Sequence, residues 1–405
     1  MKAVWALAGV AVGTGVTLGT LGFVIARRLT APVSGRRYDL TIRGVDHSGG
    51  RPVVILDRTP RTAAPGDYCL ILENGGWVKL APVVEDRGPN LVGREVVGES
   101  GSGMVAGQRA SWSGIYFQTP ADAGLQSTDV EIQTDVGPAP AWLITPKGPP
   151  STTWAIHIHG LGSTRTGTLR GVQVAAEAGL TSLVVTYRND GEGPKIGTGR
   201  SKLGVAEADD VRMAVQYARN NGALGVILFG WSMGGAIALQ LAAEPKLCGV
   251  VTGLVLDSPI VDWVATLKVN CARAGLPAWM GVLSLPWLTS RPLVGMTGLG
   301  NPIDLRDFNW VSRADEIVVP TLILHGQRDT SSPCELSIRL GALRPDIVDL
   351  ELFDADHTTS WNSDRERWRE SLQSGLESLA KNRQPCKRVV DDDSIRYRRS
   401  VDNAG

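Results

Sequence analysis

Residues 226–239 read Val-Ile-Leu-Phe-Gly-Trp-Ser-Met-Gly-Gly-Ala-Ile-Ala-Leu, and this stretch decides the fold. Its first four residues are large and apolar, which is typical of a strand buried on both faces of a sheet. Its last five residues fit the start of a helix. Between them Gly230–Gly234 form a G-x-S-x-G pattern, so Ser232 is predicted to lie on a sharp strand-to-helix turn.

This turn has a chemical use. Glycines two positions before and two positions after Ser232 avoid clashes in the strained backbone of such a turn. The hydroxyl then projects over the sheet edge, and the N-terminus of the following helix points its positive end at the same place. Ser232 is therefore predicted to be a nucleophile.

A serine hydroxyl needs a base at neutral pH. Two later segments supply an acid and a base in the order expected for this fold. Residues 322–329 form an apolar strand that ends in Asp329, and residues 350–357 form a strand that ends in His357. His357 is predicted to take the serine proton and Asp329 to orient the imidazole. Asp257, at the end of the preceding strand, is the alternative acid.

An oxyanion hole is predicted from the segment His157–Ser163, which follows the first strong strand of this region. The predicted donors are the backbone amides of Leu161 and Met233. His159 is expected to brace the loop, and His157 and His325 are expected to be structural residues. Residues 187–190 are likewise expected to order a loop.

From Asp129 onward, apolar strands alternate with helical stretches. This pattern predicts an α/β fold with a mostly parallel, doubly wound sheet over residues 129–382. A Trp-, Leu- and Pro-containing insertion at about 259–317 is predicted to be a helical cap. Its alternative is an ordinary helical crossover.

Upstream, residues 38–128 show short apolar runs broken by Gly and Pro, which predict a small β-rich accessory domain. Residues 27–37 are interpreted as a basic linker. The charged tail, residues 383–405, is predicted to be disordered.

Residues 1–26 carry no charge between Ala3 and Ala26, and their length fits a transmembrane anchor. A signal segment is the alternative. The arginines that follow favour a single-pass cell-membrane protein with a cytoplasmic catalytic domain. Five scattered cysteines without a C-x-x-C pair are expected to be reduced thiols, which agrees with that side.

Charge and motifs exclude several classes of function. The chain has 41 Lys and Arg against 41 Asp and Glu, and the folded part lacks a basic stripe, so nucleic acid is not expected as a partner. The sequence contains no H-E-x-x-H motif and no phosphate-loop ending, and neither a metal nor a cofactor is expected.

These blocks together resemble the α/β-hydrolase superfamily. The matching residues are His159-Gly160, Tyr187–Asp190, Gly230–Gly235, Leu256–Pro259, His325–Asp329 and Asp356-His357. Their spacing is most similar to bacterial serine hydrolases of the lysophospholipase, dienelactone-hydrolase-like and serine-aminopeptidase-like group. The resemblance covers about residues 129–380 and implies the fold and the triad, but not the substrate. Thr330–Pro333 departs from the Val-Pro usual in the family.

The leading functional hypothesis is a membrane-associated hydrolase that cleaves a carboxylic ester through an acyl-serine intermediate. The membrane segment and the tryptophan-containing insertion favour a lipid-like or acyl ester as substrate. A peptidase, amidase, thioesterase or acyltransferase would use the same triad. A non-catalytic scaffold of the same fold is the third hypothesis.

Overall fold

The computed structural model describes residues 17–101, 103–149 and 151–381. They contain two β-sheets. The first sheet has seven strands in the order β1-β7-β4-β5-β6-β3-β2, and all its pairings are antiparallel. Its strands are β1 Leu40–Thr41, β2 Gly44–Asp46, β3 Val53–Asp57, β4 Tyr68–Leu72, β5 Trp77–Asp86, β6 Leu91–Ser100 and β7 Arg109–Ser113. The predicted small β-rich domain is confirmed.

The core of this first sheet is apolar except at one arginine. Leu56, Leu70 and Val78 are among the fully buried side chains. Arg94 on β6 is also fully buried, and its guanidinium donates to the carbonyl oxygens of Gly66 at 2.6 Å and Ala81 at 2.7 Å. A buried guanidinium is tolerated where its N–H groups find acceptors, so Arg94 ties the Gly66 turn to β5.

The second sheet has eight strands in the order β15-β14-β13-β12-β10-β11-β9-β8. β8 and β9 form a hairpin and β9 runs antiparallel to β11, whereas the remaining neighbours are parallel. Its strands are β8 Ser127–Thr134, β9 Gly137–Ile144, β10 Thr153–Ile158, β11 Thr181–Val185, β12 Gly225–Trp231, β13 Val251–Asp257, β14 Thr321–Gly326 and β15 Val348–Phe353. The predicted mostly parallel sheet is confirmed.

Helices cover both faces of this second sheet, as a doubly wound fold requires. One face packs on α3, α4 and α8, and the other packs on α2 and α10. The helices are α1 at residues 17–29, α2 Leu169–Glu177, α3 Glu207–Asn220, α4 Met233–Ala243, α5 Trp263–Arg273, α6 Leu285–Thr289, α7 Arg291–Thr297, α8 Cys334–Leu343, α9 Ser360–Ser363 and α10 Arg365–Lys381.

The insertion between β13 and β14 is helical. It contains α5, α6 and α7 with short 3-10 helices at Ala278–Ser284, Leu305–Phe308 and Ala314–Glu316. Trp263 and Trp310 are buried in the main core, and the Trp263 indole donates to the carbonyl oxygen of Leu203 at 3.0 Å. Much of the aromatic content that suggested a cap therefore packs as core.

The predicted transmembrane anchor is not supported. Residues 1–16 lie outside the described residues, and within the described ranges no helix combines the length and apolarity that a membrane crossing requires. Instead, α1 packs on the insertion. Ala26 is fully buried, and the rings of Phe23 and Trp287 lie 5.1 Å apart. The predicted disordered tail also lies outside the described residues.

Among the described residues, the expectation of reduced thiols is wrong for Cys248. Cys248 is disulfide-bonded, whereas Cys69, Cys271 and Cys334 are buried free thiols. The sequence contains no short Cys-Cys spacing, so this bond had no local signal. A disulfide is typical of oxidising compartments, and this observation bears on the predicted cytoplasmic location.

Candidate active site

Ser232 lies at the tip of the turn between β12 and α4. Its φ of 53° and ψ of −114° form a strained conformation that non-glycine residues rarely adopt. The flanking glycines make this turn possible. A Cβ on Gly230 would lie 2.5 Å from the carbonyl oxygen of Gly234, and a Cβ on Gly234 would lie 2.1 Å from that of Ile158. The G-x-S-x-G pattern is thus a packing requirement of the turn.

The three predicted catalytic side chains meet at the carboxyl edge of the second sheet. Ser232 follows β12, Asp329 follows β14 and His357 follows β15. The hydroxyl oxygen of Ser232 lies 2.9 Å from His357 Nε2, and His357 Nδ1 lies 2.7 Å from Asp329 Oδ2. Donation from Nδ1 to the carboxylate leaves Nε2 free to accept the serine proton.

The Asp329 carboxylate is fully buried, but it is well supplied with donors. Its Oδ1 accepts the backbone N–H groups of Ser331 at 2.8 Å and Ser332 at 2.7 Å. The Thr330–Pro333 segment, which departs from the usual family sequence, therefore cradles the acid. Burial alone would raise the pKa of Asp329, but hydrogen bonds from His325 and His357 outweigh it and hold that pKa well below its usual range.

His325 contributes more than the sequence suggested. Its Nε2 donates to Asp329 Oδ2 at 3.1 Å, and its Nδ1 accepts from the Ser337 hydroxyl at 2.8 Å. The ring is fully buried at the end of β14. His325 therefore helps to position the Asp329 carboxylate, which it shares with His357.

Asp257, the alternative acid, is used differently. It lies at the end of β13, where its Oδ2 accepts the Trp368 indole at 3.0 Å and its backbone oxygen accepts the Ser232 amide at 3.0 Å. Burial raises the pKa of this carboxyl above its ordinary value. The structure pairs the histidine with Asp329 and leaves Asp257 beneath the turn.

The loop with the predicted oxyanion donor Leu161 is braced from behind. A Cβ on Gly160 would lie 3.0 Å from that of Ser232, so this loop runs directly beside the nucleophile. His159 is buried and donates to Asp190 Oδ2 at 3.0 Å, and the Tyr187 hydroxyl lies 3.2 Å from the carbonyl oxygen of Gly160. Met233, the other predicted donor, is the first residue of α4.

His157, by contrast, lies within β10, before this loop begins. It is fully buried and its Nε2 lies 3.1 Å from the Ser182 hydroxyl. Burial lowers the pKa of His157 to about 3, so the ring is neutral at physiological pH. It occupies a core position, in line with the structural role expected for it.

The first sheet contacts the loop that carries His357. Asn362 donates from Nδ2 to the backbone oxygens of Asp67 at 2.5 Å and Gly114 at 2.9 Å. Its Oδ1 accepts from the buried Arg170 at 2.8 Å, and Arg170 also donates to the Thr358 carbonyl at 3.2 Å. Asn362 and Arg170 thus join both sheets to the residues that follow His357. Sequence reasoning did not find them, because each bond spans more than 180 residues or links two domains.

The cleft beside Ser232 has a volume of about 690 Å³. Its walls come from the oxyanion loop, the His357 loop, the end of the first sheet and residues 33–37. The segment interpreted as a linker is therefore part of the site. No residue of the helical insertion is among those that line this cleft, and the lid role stays a prediction. The described residues include no group of three or more His, Cys, Asp or Glu side chains that could hold a metal.

Comparison with known proteins agrees with this architecture. Residues 155–371, more than half of the 405, match the alpha/beta hydrolase family. The chain belongs to the alpha/beta hydrolase family. Residues 41–113 of this hydrolase match a domain of unknown function, DUF8805. Comparison with curated proteins gives no match.

Several solved structures are similar to this hydrolase at low sequence identity. The esterase Pf2001 of Pyrococcus furiosus is 22% identical, with a TM-score of 0.49 over 64% of this chain and 95% of that chain. Est1E from Butyrivibrio proteoclasticus is 18% identical, with a TM-score of 0.45 over 62% and 99%. XC6422 from Xanthomonas campestris, a serine hydrolase without a lid, is 17% identical, with a TM-score of 0.43 over 62% and 94%.

Proposed function

We propose that this hydrolase cleaves carboxylic esters through an acyl intermediate on Ser232. The observation that carries the proposal is the continuous hydrogen-bonded chain from Ser232 through His357 to Asp329, with 2.9 Å and 2.7 Å between its members. A serine with a base in contact and a buried acid behind that base is the arrangement that activates a hydroxyl for acyl transfer.

The chemistry follows from these contacts. The Ser232 oxygen attacks the ester carbonyl carbon while His357 Nε2 takes its proton, and the amides of Leu161 and Met233 stabilise the oxyanion. The leaving alcohol receives the proton from Nε2. Water then attacks the acyl-serine with His357 as base, which releases the acid and restores the serine. Asp329 stays ionised and holds the imidazole in the required tautomer.

Active-site labelling tests this proposal directly. Purified protein is exposed to a fluorophosphonate probe and then to p-nitrophenyl esters of graded chain length. Ser232→Ala should abolish labelling and reduce turnover by up to about six orders of magnitude. Ser312→Ala is the matched control, because Ser312 is exposed and donates only to Asn309. A folded wild-type protein that neither labels nor hydrolyses any ester would favour the non-catalytic scaffold.

Peptides, amides and thioesters would engage the same triad. No feature of the described site favours them over an ester, and the same assay with p-nitroanilides and thioesters ranks them. If the protein hydrolyses the amide faster than the ester in that assay, the result would favour an amidase over an esterase.

We further propose that the protein works at a membrane surface and that its substrate is lipid-like. Exposed apolar side chains support this. Val24 on α1 is 50% exposed and Trp279 in the neighbouring 3-10 helix is 53% exposed. The two elements touch, because a Cβ on Gly22 would lie 2.1 Å from the Leu283 carbonyl oxygen. Tryptophan suits the boundary between water and acyl chains.

Vesicle flotation of the full chain tests the surface. Val24→Ser with Trp279→Ser should reduce binding, whereas Val83→Ser, at a residue 69% exposed on the first sheet, should not. Equal flotation of all three proteins would contradict the proposed surface. Preference for long-chain over short-chain esters would support a lipid-like substrate, and the reverse order would oppose it.

The proposed location is the cytoplasmic side, since the free thiols Cys69, Cys271 and Cys334 are typical of a reducing compartment. The Cys248 disulfide is the observation against this side. Protease protection in intact cells decides between the two. Degradation by external protease would place the catalytic domain outside.

A further inference from the structure

Residues 31–37, here named the strap, form a wall of the active-site cleft. The chain is held on both sides of the strap. On the N-terminal side, Arg200 donates to the backbone oxygen of Arg27 at 2.7 Å and to the Thr30 hydroxyl at 3.2 Å. On the C-terminal side, Arg109 Nε donates to the backbone oxygen of Tyr38 at 2.9 Å. The strap therefore has a defined position beside Ser232.

The charge of the cleft walls has one sign. Arg36 and Arg37 from the strap line the cleft together with Arg170, and no Asp or Glu is among the lining residues. Arg170 is already engaged by Thr358 and Asn362. Arg36 and Arg37 are exposed, and among the described residues neither forms an ion pair with a carboxylate.

Other arginines near the site differ from Arg36 and Arg37 because they form ion pairs with carboxylates. Arg165 pairs with Glu192 at 3.3 Å, and Arg188 pairs with Asp210 at 2.6 Å. Their charges are neutralised within the protein. Arg36 and Arg37 are cations without such a partner, and a guanidinium beside a concave, acid-free wall attracts carboxylate and phosphate groups, which it binds in a bidentate geometry.

We propose that the ester hydrolysed at Ser232 carries a carboxylate or phosphate group, which Arg36 and Arg37 bind while the ester carbonyl lies at the serine. The inference rests on the proposed ester hydrolysis and deepens it by naming the substrate class. Arg36 and Arg37 are then specificity-determining residues, and the strap is a substrate-binding element.

The test uses esters that differ only in charge. On the acyl side these are p-nitrophenyl hexanoate, mono-p-nitrophenyl adipate and p-nitrophenyl ε-aminohexanoate. On the alcohol side they are p-acetoxybenzamide, p-acetoxybenzoate and p-acetoxyphenyl phosphate. For at least one side, kcat/KM for the anionic ester should exceed that for the neutral ester by about tenfold or more, which is the usual effect of a charge-assisted hydrogen bond. The alcohol-side pair separates carboxylate from phosphate.

Variants assign the preference to the strap. Arg36→Gln with Arg37→Gln should reduce the anionic-to-neutral ratio of kcat/KM by about tenfold. Arg36→Lys with Arg37→Lys should keep part of the ratio, because the positive charge remains. Arg43→Gln is the control, since Arg43 is exposed and pairs with Asp57 on the first sheet. Fluorophosphonate labelling of each variant shows that its triad is assembled.

The outcomes separate the two proposals. Equal kcat/KM for anionic and neutral esters on both sides, or a preference that survives the double glutamine variant, would overturn the anion site while leaving ester hydrolysis intact. Absence of both labelling and turnover in the wild-type protein would overturn ester hydrolysis and the anion site together.

Discussion

At the residue scale, hydrogen bonds to the Asp329 carboxylate lower its pKa by more than burial raises it. Four donors converge on a side chain without solvent exposure, and two of them are histidines. The same donors that lower its pKa also fix its orientation, so Asp329 presents Oδ2 to His357 in one direction only. An uncharged replacement loses both the tautomer control and the stabilisation of the imidazolium.

We therefore expect Asp329→Asn to lower kcat by roughly four orders of magnitude while the protein stays folded. The measurement is p-nitrophenyl ester turnover with circular dichroism of both proteins. Asp354→Asn is the control, because Asp354 is exposed and pairs only with Arg328. A decrease of less than tenfold in Asp329→Asn would show that another acid, with Asp257 as the first choice, supports the histidine.

His157 predicts a pH dependence of stability. Burial lowers its pKa in the folded state from 6.5 to about 3, so the unfolded chain binds a proton at higher pH than the folded chain does. The stability that neutral His157 contributes is complete above about pH 6.5 and is lost as the pH falls towards 3. The loss from one such group reaches about 1.4 kcal/mol per pH unit.

We expect His157→Gln to flatten the decline in unfolding free energy between about pH 6.5 and pH 5, because glutamine has no proton to gain. Urea denaturation at several pH values measures this slope. His47→Gln is the control, since His47 is exposed in the connection between β2 and β3. Parallel slopes for wild type and His157→Gln would mean that other groups dominate the acid response.

At the element scale, the start of α4 is packed against β10 without room for a side chain. The Cβ that alanine would add at Gly234 lies 2.1 Å from the Ile158 oxygen and 2.9 Å from the His159 oxygen. The helix must therefore move away from the strand, and Ser232 and the oxyanion loop move apart with it. The G-x-S-x-G pattern predicts a glycine here, and the contact with β10 shows which backbone atoms a side chain at this position would meet.

Gly234→Ala should destabilise the protein by about 2 kcal/mol, since overpacking of a core typically costs 1–3 kcal/mol, and should lower kcat as well. Gly295→Ala is a matched control in α7, where a new Cβ meets nothing within 4 Å. There alanine should leave stability unchanged or raise it by up to about 1 kcal/mol. Thermal unfolding and ester turnover distinguish the two. Similar melting temperatures for both variants would argue against the tight approach of α4 and β10.

At the scale of the whole molecule, the domain of the first sheet makes a close backbone contact with the segment that follows His357. Gly66 has a φ of +122°, and a Cβ there would lie 2.1 Å from the Asn362 oxygen. Asn362 in turn joins Arg170 to the backbone of Asp67. A disturbance at this contact is expected to reach the His357 loop, although Gly66 lies in the other domain, just before β4.

Gly66→Ala should therefore lower both the melting temperature and kcat. Gly75→Ala separates the contact from backbone strain, because Gly75 also has a positive φ, +90°, but has nothing within 4 Å of a new Cβ. We expect about 1–2 kcal/mol of destabilisation from the left-handed backbone in Gly75→Ala and unchanged kcat. An equal kcat in the two variants would show that the first sheet does not position the catalytic loop.

The sequence by itself was enough to predict the order of the proposed triad and the sheet that carries it. The glycines around Ser232, the apolar runs before Asp329 and His357, and the alternation of strands and helices are local or periodic features. Such features depend on short-range sterics and on burial of whole strands, so they can be read one segment at a time. The transmembrane anchor was predicted in the same way, from apolar length alone, and α1 instead buries Ala26 in the hydrolase core.

Only the tertiary structure decided which distant groups meet. It brought His325 to the acid, selected Asp329 over Asp257, joined Asn362 to both domains and carried Arg36 and Arg37 to the wall of the cleft. The sequence spacing of these residues carries no period, because their contacts arise from packing between elements far apart along the chain. Local propensity does not predict such contacts. The proposed anion-binding wall could therefore be inferred only from the folded chain, which places the strap beside Ser232.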